Sequence, residues 1–395
     1  MRILPLAIVS ASLVAARGLA ASPEAVAAMN TRGFELLRLA VEDAGGSGNV
    51  LLSPYSINSA FGLVWLGAKG ETEAEIRSVL GLPEEAGAFL GEIGQSIQSS
   101  AQAKALTSNS AWVGLGQALL PEYRNAIRAT FGAGVFPTDF GDPAKAASDI
   151  NRFVSRTTGE MIPSLLAADA ISPGTKLLLV NTLYFRAKWR VEFPRENTRK
   201  APFTRGDGSA GDVDLMHAAF DRAGYFEDAD AAIRGIALPY EDPRFRFIAI
   251  LPDAEGGSIA RTLERLSEGA LDPWLDQGDA AVKVWLPKLD IEFSAAIEPL
   301  LEKLGMATPF SARADFSGIG GTRDLYIDSV IHATRLRADE EKTEAAAATA
   351  ILVRATSLPP PPPEYKLFRA DRPFVVVLRD DRTGVVLFCG VVEKP

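Results

Sequence analysis

The sequence predicts an α+β protein in which helices pack on mainly antiparallel sheets around one core. Three observations predict it. Capped segments with helical spacing fill the first third of the chain, and strand-like runs separated by Gly, Pro and Asp turns fill residues 201–253 and the C-terminus. No composition shift or linker divides the two. With 395 residues, 47% of them hydrophobic, length alone would permit two or three domains. The unbroken pattern favours a single domain over residues 21–395.

Residues 1–20 carry Arg2, an apolar run from Ile3 to Ala16, and small residues at Gly18 and Ala20. This is the pattern of a secretory signal peptide and is too short for a membrane span. A secreted or periplasmic protein is expected, with no span left after cleavage; the competing reading is a first helix of the folded domain. Ser22-Pro23-Glu24 then supplies an N-cap, a first-turn proline and an early carboxylate. Val26, Met29, Phe34, Leu37 and Val41 follow at helical spacing to about Asp43. Ser53-Pro54 opens a second helix with Ile57, Phe61 and Val64 inside. Thr72 and Glu75 form a capping box for a third, which Gly81 ends.

Helical spacing continues to about Thr130, interrupted by a strand near 111–113, and 144–158 places Ile150 and Phe153 on one side of a further helix. The run KLLLVNTLYFRAKW at 176–189 reads as a strand buried on both faces, central to a sheet. Beyond the antiparallel run containing FRFIAILPD, one helical segment is expected between 258 and 275. VKVWLPKLDIEF then gives a strand and 295–304 a helix. The C-terminus carries two apolar runs either side of an Asp-Arg-Thr-Gly turn.

A net charge of −9 and the lack of a Lys/Arg cluster argue against nucleic acid as a partner. The single cysteine, Cys389, excludes intrachain disulfides and sits in an apolar strand as a core residue. With only His217 and His332, no Gly-x-Ser-x-Gly, no His-Glu-x-x-His and no phosphate-binding loop, a hydrolase has few candidate residues. No enzyme activity, cofactor or metal is expected.

One stretch fits neither helix nor strand. DEEKTEAAAATAILVRATSL at 339–358 is rich in helix formers yet has no apolar stripe, and Pro359 to Pro363 closes it in extended form. It is either a solvated linker or a strand that must fit a narrow slot. Its flanks, LYIDSVIHATRLRADEE upstream and the two apolar runs downstream, join it to buried strands.

Six segments in order, NVLLSPYSI, FGDPAKAASDINRFVSRTTGEMI, NTLYFRAKW, LPKLDIE, HATRLRADEEKTEAAAATA and FVVVLRDDRTGVVLFCGVV, resemble the serpin family over residues 23–395. The resemblance implies the serpin fold, helices packed around three mainly antiparallel sheets with an exposed reactive-centre loop, here about 340–363. It implies a suicide-substrate inhibitor of serine endopeptidases, with cysteine endopeptidases a second class: the cleaved loop inserts into the main sheet and traps the acyl-enzyme. Matched to the family, the hinge is Glu340, Glu341, Lys342, Thr343, Glu344, Ala345, Ala346, Ala347 and Ala348. Ser53, Ser56, Asn181 and His332 match the shutter, a polar cluster under the parting strands; a hydrogen-bonded core histidine is the plain reading of His332. Trp189, Lys288 and Glu340 match the breach at the top of the opening.

In an inserted strand alternate residues face the core. Starting the inward set at Thr343 puts Thr343, Ala345, Ala347 and Thr349 inside and leaves Lys342 and Glu344 in water; a one-residue slip would bury both charges. Inhibitory relatives usually have glycine where Lys342 stands, so this chain is alternatively a plain substrate, or a non-inhibitory carrier or chaperone. The family interval from Glu340 places the reactive bond at Thr356-Ser357, suited to an elastase-like protease. The alternative bond, Arg354-Ala355, suits a trypsin-like one. The expected partner is the target protease in covalent complex with a monomer.

Overall fold

The structure is a computed structural model that describes residues 22–340 and 364–395, apart from 47, 99, 101–102 and 132–133. Its first half runs α1 (Pro23–Asp43), β1 (Val50–Leu52), α2 (Pro54–Trp65), α3 (Gly70–Leu80), α4 (Ala86–Gln98), β2 (Ala103–Gly114), α5 (Pro121–Phe131), β3 (Gly134–Thr138), α6 (Pro143–Thr157) and β4 (Leu177–Ala187). Then follow β5 (Arg199–Thr204), β6 (Ala210–Asp228), β7 (Ile233–Pro239), β8 (Phe245–Pro252), α7 (Ile259–Ser267), α8 (Leu271–Leu275), β9 (Asp279–Pro287), β10 (Leu289–Ala296), α9 (Glu298–Lys303), α10 (Ser317–Gly320) and β11 (Ser329–Ala338). The chain closes with β12 (Lys366–Arg369), β13 (Phe374–Asp380) and β14 (Val385–Val392).

The main sheet has the order β10-β11-β4-β2-β3. Its β11–β4 and β2–β3 pairs are parallel and the others antiparallel. The remaining strands run β1-β14-β13-β8-β7-β6-β9-β12, with β5 on β6. Two of the three expected sheets are thus joined through one strand. The 19-residue β6 pairs with β5 along its first part, with β9 from Leu215 to Gly224 and with β7 from Gly224 to Asp228, and its register against β9 shifts between Phe220 and Ala223.

The main sheet is covered on both faces, which is why β4 shows no alternation of apolar and polar residues. Leu177, Leu179, Leu183 and Phe185 enter the large core beneath it. Leu178 and Val180 join a second cluster with Ile150 and Val154 of α6 and Ile331 of β11. Among the described residues, no helix is long and apolar enough to cross a membrane.

Local capping signals place the helices well. The Ser22 side chain accepts from the Ala25 N–H, and the Ser53 side chain from that of Ser56. The Thr72–Glu75 capping box does not form. The third helix starts at Gly70 without a side-chain cap, and the two residues serve distant backbone instead. Thr72 Oγ1 accepts from the Asp315 N–H, while Glu75 accepts from the N–H groups of Ala307 and Thr308. VKVWLPKLDIEF is two strands in different sheets, broken at Lys288. The single helix expected at 258–275 is α7 and α8, parted at Gly269 with φ 87°. The strand near 111–113 extends from 103 to 114, because pairing with β4 along its length overrides the polar Thr107-Ser108-Asn109 sequence.

Candidate functional site

The seam between β11 and β4 is a place in the main sheet where two parallel strands meet directly ahead of the alanine-rich segment. Eight register pairs join them, from Ser329↔Leu178 to Leu336↔Phe185. A chain that leaves β11 after Ala338 and turns back would run antiparallel to β11. Because β4 is parallel to β11, it would run antiparallel to β4 as well. One returning strand could therefore exchange a single parallel ladder for two antiparallel ones, which are the more stable per residue.

A buried polar cluster spans the middle of this seam. His332 and Asn181 are register partners, and His332 Nδ1 lies 2.5 Å from Asn181 Oδ1. The Ser53 N–H donates to His332 Nε2 at 3.1 Å, so Nε2 is an acceptor and the ring proton sits on Nδ1, donating to Asn181. Burial pushes the His332 pKa down to about 3, which keeps the ring neutral in the fold. Asn181 Nδ2 in turn donates to Ser56 Oγ at 2.6 Å, to Asn109 Oδ1 at 2.8 Å and to the Ser56 carbonyl. Ser53, Ser56, Asn181 and His332 are all fully buried.

Two members of this cluster escape sequence reasoning. Asn109 of β2 also accepts from Ser56 Oγ at 3.3 Å, and Thr334 of β11 donates to the Leu51 carbonyl at 2.8 Å. Thr334 lies two residues beyond His332, hence on the same face of its strand, a signal that could have found it. Asn109 lies in a run of small polar residues with nothing local to mark it.

At the top of the seam the chain is pinned where it leaves the sheet. Trp189 donates from Nε1 to the Asp339 carbonyl at 2.8 Å and stacks on Tyr240 with ring centroids 4.7 Å apart. Glu340, only 4% exposed, accepts from Lys288 Nζ at 2.8 Å and from Thr198 Oγ1 at 2.6 Å. Burial opposes ionisation of this carboxyl, but the Lys288 and Thr198 hydrogen bonds outweigh it and hold the pKa below the usual range. Lys288 reaches Glu340 because it occupies the corner between β9 and β10. Glu341 through Ala348, and the candidate bonds Thr356-Ser357 and Arg354-Ala355, lie outside the described residues, as does the expected signal segment 1–20. Cys389 is buried, and burial pushes its thiol pKa up, in keeping with a core role.

Comparison with known proteins places this geometry. The family model for serpins, serine protease inhibitors, matches residues 27–395. The chain belongs to the serpin family. Among curated serpins it is 34% identical to an uncharacterized serpin-like protein of Thermococcus kodakarensis, over 94% of this chain and 85% of that one. It is 31% identical to the human leukocyte elastase inhibitor, over 94% of this chain and 100% of the relative. Among solved serpins, Manduca sexta serpin-12 superposes with a TM-score of 0.83 at 26% identity, covering 93% of this chain and 98% of the other. An Arabidopsis serpin in its native stressed conformation superposes with a TM-score of 0.83 at 25% identity, covering 94% and 98%.

Proposed function

We propose that this serpin is a suicide-substrate inhibitor of serine endopeptidases, secreted or periplasmic and monomeric, with an elastase-like enzyme as its preferred target. The observation that carries the reading is the parallel β11–β4 seam, joined by a ladder and a buried polar cluster, at the root of the segment the protease would cut. The target's serine Oγ attacks the carbonyl carbon of Thr356, the bond to the Ser357 nitrogen breaks, and the amine leaves with a proton. The protease is left as an ester on Thr356. Chain 341–356, freed at its far end, then turns back and enters the seam as a strand, carrying the ester-linked enzyme with it.

Insertion first costs the register pairs of the seam and the hydrogen bonds of His332, Asn181 and Ser56, each buried group left unsatisfied costing about 1–3 kcal/mol. Two antiparallel ladders and the burial of Thr343, Ala345, Ala347 and Thr349 offset that cost. Small inward residues suit a slot already lined by Leu336 and Phe185. The elastase preference rests on Thr356 at the cleaved position and on the relatives named leukocyte elastase inhibitor. Lys342 in the hinge favours a second outcome, cleavage without trapping, if its side chain slows entry relative to hydrolysis of the ester.

Incubation with elastase-like and trypsin-like endopeptidases, followed by denaturing electrophoresis and mass spectrometry of the released C-terminal peptide, tests the reading. A covalent complex with cleavage after Thr356 is expected. Cleavage without any complex across the panel would leave only the substrate role, and a complex cut after Arg354 would move the target class to trypsin-like enzymes.

A further inference from the structure

β14 ends at Val392, and the next residue, Glu393, is held with its carboxyl turned away from water. Asn49, just ahead of β1, clamps the backbone at this point. Its Oδ1 accepts from the N–H groups of Glu393 and Lys394 at 2.8 and 2.9 Å, and its Nδ2 donates to the Lys394 carbonyl at 2.7 Å. The Glu393 side chain, in a residue only 6% exposed, lies against the 205–209 turn that joins β5 to β6. Gly206 leaves room for it, since a side chain there would collide with Oε2. The Gly206 N–H faces the carboxyl, yet Oε2 has no hydrogen-bond partner among the described residues. The turn is closed by its own bonds, Arg205 N–H to the Ser209 carbonyl at 2.7 Å and Ser209 N–H to Asp207 Oδ1 at 2.9 Å. A buried carboxylate with a bare oxygen is costly, and a proton removes the charge.

We propose that Glu393 is an acid-tightened clasp: protonated, it lets the 205–209 turn close on the end of β14, and ionised, it drives the turn and the C-terminus apart until water reaches Oε2. The charged groups around it fit that role. Asp207 of the turn opposes its ionisation and Lys394 favours it, while Arg205 donates to Ser209 Oγ at 3.3 Å. Asp371, whose carbonyl accepts from the Thr204 N–H at the end of β5, has its carboxylate on Arg369 and Arg372 at 3.1 and 3.0 Å. Burial, joined by the Asp207 charge, holds the Glu393 pKa above the usual carboxyl range against the pull of the Gly206 N–H and Lys394. The closed form thus takes up the proton more readily than the open one. The clasp is fully tight below the pKa of the exposed carboxyl and loosens as pH rises through that of the buried one. The opening is local, with β14 still paired to β1 and β13, and does not depend on the inhibitor reading.

Amide hydrogen exchange of the intact protein, read by mass spectrometry and corrected for the intrinsic pH dependence of exchange, tests the clasp. Between about pH 8 and about pH 5, protection of peptides from the 205–209 turn and from the C-terminus is expected to rise at least about tenfold, while peptides of β13 gain nothing. Glu393→Gln, which carries no charge at any pH, is expected to hold the high protection throughout. Asp207→Asn, a change at an exposed side chain, is expected to move the wild-type rise to lower pH. Level protection in the wild-type protein, an equal gain in β13, or a Glu393→Gln protein that keeps the wild-type rise each overturns the clasp. Should Glu393→Gln fail to fold, a rise unmoved by Asp207→Asn overturns it instead.

Discussion

Tyr240→Phe is the sharpest test of the view that the resting protein is held short of its most stable arrangement. Tyr240 is 1% exposed, and its hydroxyl has no hydrogen-bond partner among the described residues. Its ring stacks on Trp189 and meets Phe185 of β4 edge-on at 5.3 Å, beneath the entry to the seam. Burial pushes its phenol pKa up, as an unpaired hydroxyl in an apolar site requires. A buried hydroxyl without a partner costs about 1–3 kcal/mol, and phenylalanine removes that cost while keeping the ring contacts. Unfolding entropy of about 2.1 cal/mol/K per residue makes 1 kcal/mol worth roughly 1.2 °C in a chain of this length. The uncleaved variant should therefore melt about 1–4 °C higher, measured by circular dichroism at a fixed scan rate. The loop-cleaved variant should gain less, because a strand entering the seam brings backbone and the Thr343 hydroxyl to the same site. A lower melting temperature for uncleaved Tyr240→Phe would refute the reasoning, since it would mean the hydroxyl is already satisfied.

Three further outcomes are expected. On the inhibitor reading proposed above, Thr343→Arg should leave only a substrate, because insertion would bury a guanidinium; stable complexes from that variant would overturn the inward assignment of Thr343. Cutting the loop of the wild-type protein should raise its resistance to heat and denaturant markedly, and an unchanged melting point would mean that the sheet does not open. Stability should also fall with acidity through His332, whose pKa is about 3 in the fold against 6.5 when exposed. The unfolded chain takes up a proton that the folded one refuses, so this contribution is intact above pH 6.5 and is lost at about 1.4 kcal/mol per pH unit below it, reaching about 2.7 kcal/mol at pH 4.5. His332→Gln should flatten that part of the pH profile in urea titrations, and a profile unchanged by the substitution would show that the ring is charged in the fold.

Much of the fold was legible because its signals are local. The Ser22 and Ser53 caps, the prolines that follow them and the left-handed Gly81 act on backbone a few residues away, and they mark helix ends correctly. The same logic misread Thr72 and Glu75, whose spacing is that of a capping box but whose hydrogen bonds go to Asp315, Ala307 and Thr308. It also ran β9 and β10 together, since the corner at Lys288 is set by the two sheets those strands join. In the candidate site, Ser53, Ser56, Asn181 and His332 were found through the resemblance of their surrounding segments. Asn109 and Thr334 were not, since each contributes through a single side chain meeting residues far away in the chain.

The sequence by itself determined where most helices begin, that β4 is buried on both faces, that the chain resembles serpins, and that small residues, Thr343, Ala345, Ala347 and Thr349, fill the positions that alternation would turn toward a core. The tertiary structure decided that β11 and β4 lie side by side and parallel, that His332 carries its proton on Nδ1, that Lys288 reaches Glu340, and that the Tyr240 hydroxyl is buried without a partner among the described residues. The division has a physical cause. Caps, turns and periodicity are satisfied within a few residues, whereas a buried polar atom is satisfied or orphaned by whichever distant segment the packed core brings against it.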